Sequence, residues 1–368
     1  MFSKFITCLK SFDWIMFTSV FMLICFGLAE IYSVALGRPQ SDFLNFRKQI
    51  IFIVLGLAML FIFAFSDYRV LRSYSKHFYV AGLILLIGVL LLGQTVRGTK
   101  GWYEISGFSI QPVEFIKFIL ILFLAKYFSS SSVKTNEFKR LLISGSGVLL
   151  FIILVLAQPD FGSAFILFLL WLSAIVLAGF NKKYFIAIGL ILVVIFSGSW
   201  YFALKDYQKQ RITTFLNPSF NPLGQGYNVS QAIIAVGSGG LAGRGIGFGS
   251  QSQLKFLPEA QNDFIFAVVA EELGFSGVLL VLLFFGIFFY RCLRHLKKVG
   301  DDFGVFFILG AVSLIFIEMF INIGMNLGML PVVGISLPFL SYGGSGMISS
   351  LMLVGVIESI VIRSKVNY

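Results

Sequence analysis

Long apolar runs alternate with short polar connections along the whole chain. Ten runs stand out, at about 14–36, 48–66, 77–93, 112–128, 140–157, 162–179, 183–203, 264–290, 304–329 and 346–363. A helix needs roughly 20 apolar residues to cross the hydrocarbon core of a bilayer. The runs are continuous, which excludes a β-barrel, whose strands alternate at every second residue. The predicted fold is an all-α polytopic membrane protein with ten transmembrane helices. One connection breaks the rhythm. Residues 204–263, between the seventh and eighth runs, are too polar and too glycine-rich to span. Irregular backbone at membrane depth must be buried in protein or line a watery cavity. The loop therefore predicts a cavity at one membrane face. No repeat or flexible linker divides the chain, so residues 1–368 are read as one membrane domain.

Composition agrees. Of 368 residues, 58% are hydrophobic and only 12% charged, where a soluble domain carries roughly 25% charged residues. Three scattered cysteines and two loop histidines exclude a disulfide framework, a zinc site and a histidine-based triad. The first apolar run is longer than a signal-peptide core and reads as a retained span.

The net charge of +11 is spread over short loops, which argues against nucleic acid as a partner and for topology and membrane lipid. An even number of spans puts both termini on one side. Lys4, Lys10, Arg69, Arg72, Lys182, Lys183, Arg291, Arg294, Arg363 and Lys365 all fall on the terminal side. By the positive-inside rule that side is cytoplasmic, and the 204–263 loop faces outward.

Charged side chains in or beside spans are costly and usually functional or paired. Here they are Glu30, Glu114, Lys117, Asp160, Glu271, Glu272, Glu318 and Glu358. Glu114 and Lys117 lie three apart behind Pro112 and share a helix face. They form either a self-contained ion pair or a cation held for an anionic head group. Asp160, in QPDFG, is either an N-cap or a member of an outer-face site. Arg244 sits in GSGGLAGRG, which lacks the lysine of a phosphate loop; that run is either a packed turn or a place where its guanidinium meets a diphosphate. Asp263 stands where the loop meets the eighth run. It is either a helix cap or a general base in a partly desolvated mouth.

These motifs also resemble a known family. GTKGW (98–102), QPVEFIK (111–117), QPDFG (158–162), NPLGQGYNVSQAIIAVGSGGLAGRGIG (221–247), QSQLKFLPEAQNDFIFAVVAEELG (251–274) and PVVGISLPFLSYGGSG (331–346) recur in order. Together they look like the SEDS proteins of shape, elongation, division and sporulation, over about residues 14–363, and more like the RodA branch than the FtsW branch. The resemblance implies ten helices and cytoplasmic termini. It implies a peptidoglycan glycosyltransferase in the bacterial cytoplasmic membrane, polymerising lipid II onto an undecaprenyl diphosphate-linked glycan. It implies a class B penicillin-binding protein as crosslinking partner within the elongation machinery. The family's essential loop aspartate falls on Asp263, its tryptophan on Trp102, its glutamate and lysine on Glu114 and Lys117, and its QPD aspartate on Asp160. Three positions depart from the pattern: Gly101 stands where the family usually has Arg, Ser109 where FtsW-like members often have Arg, and Gln261 where the family often has His.

On this reading Asp263 is catalytic, and Lys117, Glu114, Trp102, Asp160 and Arg244 bind substrate. No cofactor is expected to be tightly bound. A divalent cation, Mg or Mn, would enter with the diphosphate and meet Asp263, Asp160 or Glu114, whose hard oxygens suit it. Two other classes compete: an FtsW-type septal polymerase, and a transporter that flips lipid II, since broken helices and intramembrane charges also mark transporters. A scaffold with a decayed site is a third.

Overall fold

The computed structural model describes residues 8–37, 43–96, 98–105, 107–130, 136–202, 209, 213 and 225–365. The stretch 203–224 of the large loop lies, but for residues 209 and 213, outside the described residues.

Every predicted run falls on a helix: α1 (Trp14–Leu36), α2 (Leu44–Phe65), α3 (Tyr68–Leu92), α4 (Pro112–Ser130), α5 (Glu137–Leu156), α6 (Phe161–Leu177), α7 (Lys182–Phe202), α10 (Ile265–Leu296), α11 (Asp302–Asn326) and α12 (Gly344–Lys365). Among the described residues, α1, α2, α3, α5, α10, α11 and α12 are long and apolar enough to cross a membrane, and α6 is a shorter apolar helix. The protein is a multi-pass membrane protein. Local chemistry sets the helix starts. Asp13, Asp67, Asn136, Asp160 and Asp301 each accept hydrogen bonds from first-turn N–H groups, satisfying donors that the helix leaves open. Pro112 opens α4, where its missing N–H costs nothing.

The all-α reading holds, with two details added between the spans. Residues 94–110 fold into a small antiparallel sheet, β1 (Gln94–Val96), β2 (Thr99–Ile105) and β3 (Phe108–Ile110), with Gln94 opposite Trp102 and Tyr103 opposite Ile110. The large loop is also not loop throughout: it contains α8 (Gln225–Ser238) and the short α9 (Ser250–Gln253).

Packing pairs elements far apart in sequence. α2 lies against α12, α1 against α10, and α4 against both α3 and α11. At the end of α1 remote from Asp263, Asp13 ties three helices together. Its carboxylate accepts from Arg291 Nε at 2.8 Å and from His295 Nε2, and its N–H donates to Glu358 Oε2 at 3.0 Å. Burial pushes this carboxyl up, but the bonds from His295 and Arg291 outweigh it and hold the group well below the usual carboxylate range.

α10 breaks at Gly274, whose backbone (φ 66, ψ −163) is not helical. Such a break frees carbonyls upstream. The glycine-rich run supplies their partners: Arg244 N–H donates to Glu271 O at 3.0 Å and Gly245 N–H to Glu272 O at 2.9 Å. Gly243 has φ +79, and a Cβ there would stand 2.2 Å from the Glu272 carbonyl oxygen. Glycine is thus required by both conformation and space. These N–H groups close a helix kink and do not point into a phosphate cradle.

Candidate active site

Lys117 is buried on α4, with its ammonium between two carboxylates. Nζ lies 2.7 Å from Glu114 Oε1 and 2.7 Å from Glu318 Oε1 of α11. The predicted Glu114–Lys117 pair therefore exists, with a third member. One cation faces two carboxylates in a largely buried site, where an unpaired charge is expensive. A cleft beside the group is lined by Glu114, Glu318, Ser336, Ser341, Met347 and Ser350.

α11 carries more than Glu318. Asn322 and Asn326 follow at steps of four, so the three share one face, and all three are buried. The amide of Asn322 donates to Asp263 O at 3.0 Å and to Ile335 O at 2.7 Å. That of Asn326 donates to Asp263 O at 2.9 Å, while its Oδ1 accepts from Ala267 N–H at 3.1 Å. Asp263 precedes the cap position of α10. The cap position is Phe264, which has no capping side chain, and Asn326 does that work from another helix.

The segment 331–346, the last of the family-like motifs, runs between these groups. Ser341 Oγ donates to Asn262 O at 2.7 Å and accepts from Leu337 N–H at 2.8 Å, and Tyr342 N–H donates to Gln261 O at 2.8 Å. A Cβ on Gly334 would lie 3.6 Å from Asp263 Oδ2, and one on Gly346 would lie 3.5 Å from Glu114 Oε2. Both carboxylates thus border the same connection. Gln261, one of the departures from the family pattern, accepts from Asn45 Nδ2 at 2.9 Å and donates to Ile31 O at 3.3 Å, bridging α2 and α1.

Asp160 is the N-cap of α6. It accepts from Ser163 N–H at 3.0 Å and Ser163 Oγ at 2.7 Å, and also from Gln111 Nε2 at 3.3 Å. Gln111 immediately precedes α4, so Asp160 is linked to the Lys117 helix by one side chain. Trp102 is half-buried on β2. Gly101 beside it is buried, and a Cβ there would meet Gln158 Oε1 at 3.2 Å. Arg244 stands apart: its side chain is exposed and its Nε donates to Ser238 O at 3.3 Å, within its own turn.

The intramembrane acids Glu271 and Glu272 are structural. Glu271 accepts from the N–H groups of Gln251 and Ser252, at 2.7 and 3.0 Å. Glu272 accepts from Ser33 Oγ, Ser252 Oγ, Gln253 Nε2 and Gly247 N–H. Buried Glu30 faces Glu272, with no donor to either of its carboxylate oxygens among the described residues.

The expected metal ligands do not fit a resident ion. Among the described residues no three His, Cys, Asp or Glu side chains group as a metal site. Glu114 is paired with Lys117, and Asp160 is hydrogen-bonded by Ser163 and Gln111. No step below passes through a metal.

Sequence reasoning missed Asn322, Asn326 and Ser341 and left Glu318 outside the site. A signal existed: polar residues at 318, 322 and 326 keep helical spacing inside an apolar run.

Known proteins share this architecture. Residues 13–366 match the cell cycle protein family of FtsW, RodA and SpoVE. Stage V sporulation protein E of Bacillus subtilis is 37% identical over 348 residues, covering 92% of this chain and 94% of that protein. Peptidoglycan glycosyltransferase MrdB of Escherichia coli K12 is 35% identical over 347 residues, covering 92% of each. One chain of a peptidoglycan synthase complex, solved for its coordination of polymerization and crosslinking, superposes with a TM-score of 0.80 at 25% identity, covering 97% of this chain and 98% of that one. Rod shape determining protein RodA of Thermus thermophilus superposes with a TM-score of 0.71 at 24% identity, over 97% and 98%. By a match that runs almost from end to end, the chain belongs to the FtsW, RodA and SpoVE family.

Proposed function

We propose that this protein is a peptidoglycan glycosyltransferase that polymerises lipid II at the outer face of the cytoplasmic membrane, with both termini in the cytoplasm. The full-length likeness to relatives named peptidoglycan glycosyltransferases carries the reading. Asp263 is the base. It takes the proton from the sugar 4-hydroxyl of the acceptor as that oxygen attacks the anomeric carbon of the donor. The bond to the diphosphate breaks, and undecaprenyl diphosphate leaves with the electron pair. An α-linked donor gives a β-linked product in one inverting displacement, so no second carboxylate nucleophile is required.

Lys117 provides positive charge for the leaving diphosphate, and electrostatic support of a leaving anion is usually a large term. The cation is engaged by Glu114 and Glu318. An ammonium has three donors, so with two given to Glu114 and Glu318 the third is directed to a diphosphate oxygen while both carboxylates keep their hold. Trp102 and Asp160 border the donor, and any Mg or Mn ion arrives with the diphosphate. Arg244, whose exposed guanidinium gives its Nε to its own turn, is the loop's contribution to the diphosphate. The role is elongation with a class B penicillin-binding protein, since the length and the QPDFG and QSQLKFLPEA forms resemble the RodA branch.

The test is polymerisation of labelled lipid II by the purified protein, alone and with a class B penicillin-binding protein. Glycan strands are expected from the native protein and none from Asp263→Ala of unchanged thermal stability. Lipid II movement across vesicles without polymer, indifferent to Asp263, would establish the transporter instead.

A further inference from the structure

We infer that Asn322, Asn326 and Ser341 are positioning residues for the base, and that one face of α11 sets the separation between Asp263 and Lys117. The inference rests on the reading of Asp263 as the base.

Three consecutive carbonyls lead into α10, the first two held by the 331–346 connection and the third by α11. Gln261 O accepts from Tyr342 N–H, Asn262 O from Ser341 Oγ, and Asp263 O from both Asn322 and Asn326. A residue whose neighbouring peptides are all fixed has its Cα–Cβ direction fixed too. Within the turn, Glu259 O accepts from Asn262 N–H at 2.9 Å and Phe264 N–H at 3.4 Å, while Phe264 at the cap position offers no side-chain bond. Asn326 replaces that cap through Ala267 N–H and grips Asp263 O with its other end. Asn322 divides its amide between Asp263 O and Ile335 O, so the turn and the 331–346 connection move together.

The same helix holds the cation. Glu318 is one turn before Asn322 and two before Asn326, and a helix rises about 1.5 Å per residue. Lys117 and the Asp263 turn are thus mounted on one rigid face, roughly 12 Å apart between the outermost anchors. A base and a leaving-group cation act on opposite ends of one displacement, and misplacement by about 1 Å can cost 10²-fold. A shared helix face prevents such drift.

The experiment measures lipid II polymerisation kinetics on the purified protein, with or without the penicillin-binding partner as activity requires. Asn322→Asp and Asn326→Asp keep side-chain shape but remove the N–H donors to Asp263 O. Ser341→Ala is the milder variant and serves if either aspartate variant fails to fold. Each folded aspartate variant is expected to lower kcat about 10- to 100-fold with KM changed less than about 3-fold, and to move the acid limb of the kcat–pH profile. Ser341→Ala is expected to lower kcat about 3- to 10-fold in the same pattern. Native kcat in these variants, with Asp263→Ala inactive, would overturn the positioning role and leave the base standing. A loss that tracks only the unfolded fraction, with an unmoved pH profile, would also overturn it. An active Asp263→Ala would remove the base, and this inference with it.

Discussion

Lys117 illustrates how a single residue carries both stability and chemistry. Its largely buried ammonium balances Glu114 and Glu318. Removing one partner of a buried ion pair costs about 3–5 kcal/mol because the survivors keep their charge. Lys117→Met should therefore lower thermal stability in detergent by several degrees and abolish polymer. Glu318→Gln is expected to fold and to retain measurable polymer, since Glu114 still holds the lysine. Glu30 presents the opposite case, a buried carboxyl beside Glu272 without a donor. Glu30→Gln gives it an amide donor and should raise stability by about 1 kcal/mol, read as a higher melting temperature; a lower one would contradict this account. Lys117 and Glu114 stood out in the sequence because a charge in an apolar span is conspicuous, whereas Asp263, at the end of a polar loop, was singled out by the family resemblance of its motif. Asn322 and Asn326 were not, because a neutral amide changes neither the charge count nor the hydropathy of a span by much.

Among elements, the helices were legible and their ends nearly so. Apolar length sets a span, and Pro112 and the capping acids mark the starts. The sheet at 94–110 was not legible. Three short strands between two spans bury little, and their pairing depends on turns at Gly98 and Gly107, both with positive φ. The kinked α10 shows how an element depends on a loop. The run 239–247 exists in its observed form because Glu271 and Glu272 draw in its N–H groups and their own carbonyls need them. Gly243→Ala puts a Cβ against the Glu272 carbonyl at positive φ. Strain of about 1–3 kcal/mol is expected for the conformation alone, with more for the clash. The readout is a lower melting temperature and faster proteolysis within 239–247, with Asp263 chemistry impaired only through lost folded protein.

For the molecule as a whole, sequence shows which runs cross but not which stand side by side. α2 meets α12 and α1 meets α10 across most of the chain, and no periodicity announces such pairs. Asp13 supplies one of these contacts by gathering Arg291, His295 and Glu358. A carboxyl lowered on folding adds stability above its unfolded pKa, near 4. That stability is lost only as the pH falls through the lower folded value. The contribution of Asp13 is therefore fully present from about pH 5 upward. The loss of melting temperature in Asp13→Asn should be no smaller at pH 5 than at pH 7. A penalty that fades at pH 5 would show that the carboxyl titrates in its ordinary range.

The turn at Asp263 takes its shape from residues synthesised well after it. Asn322 lies 59 residues further on and Ser341 is 79 beyond Asn262. A ribosome that has delivered α10 into the membrane has made the aspartate but none of the groups that aim it. The nascent chain therefore passes through insertion with an unformed centre. Fragments ending before α11 fold no working site, however well their earlier helices pack. The turn takes its final form only once the segments after α10 have joined the bundle, which makes its completion a late event of assembly.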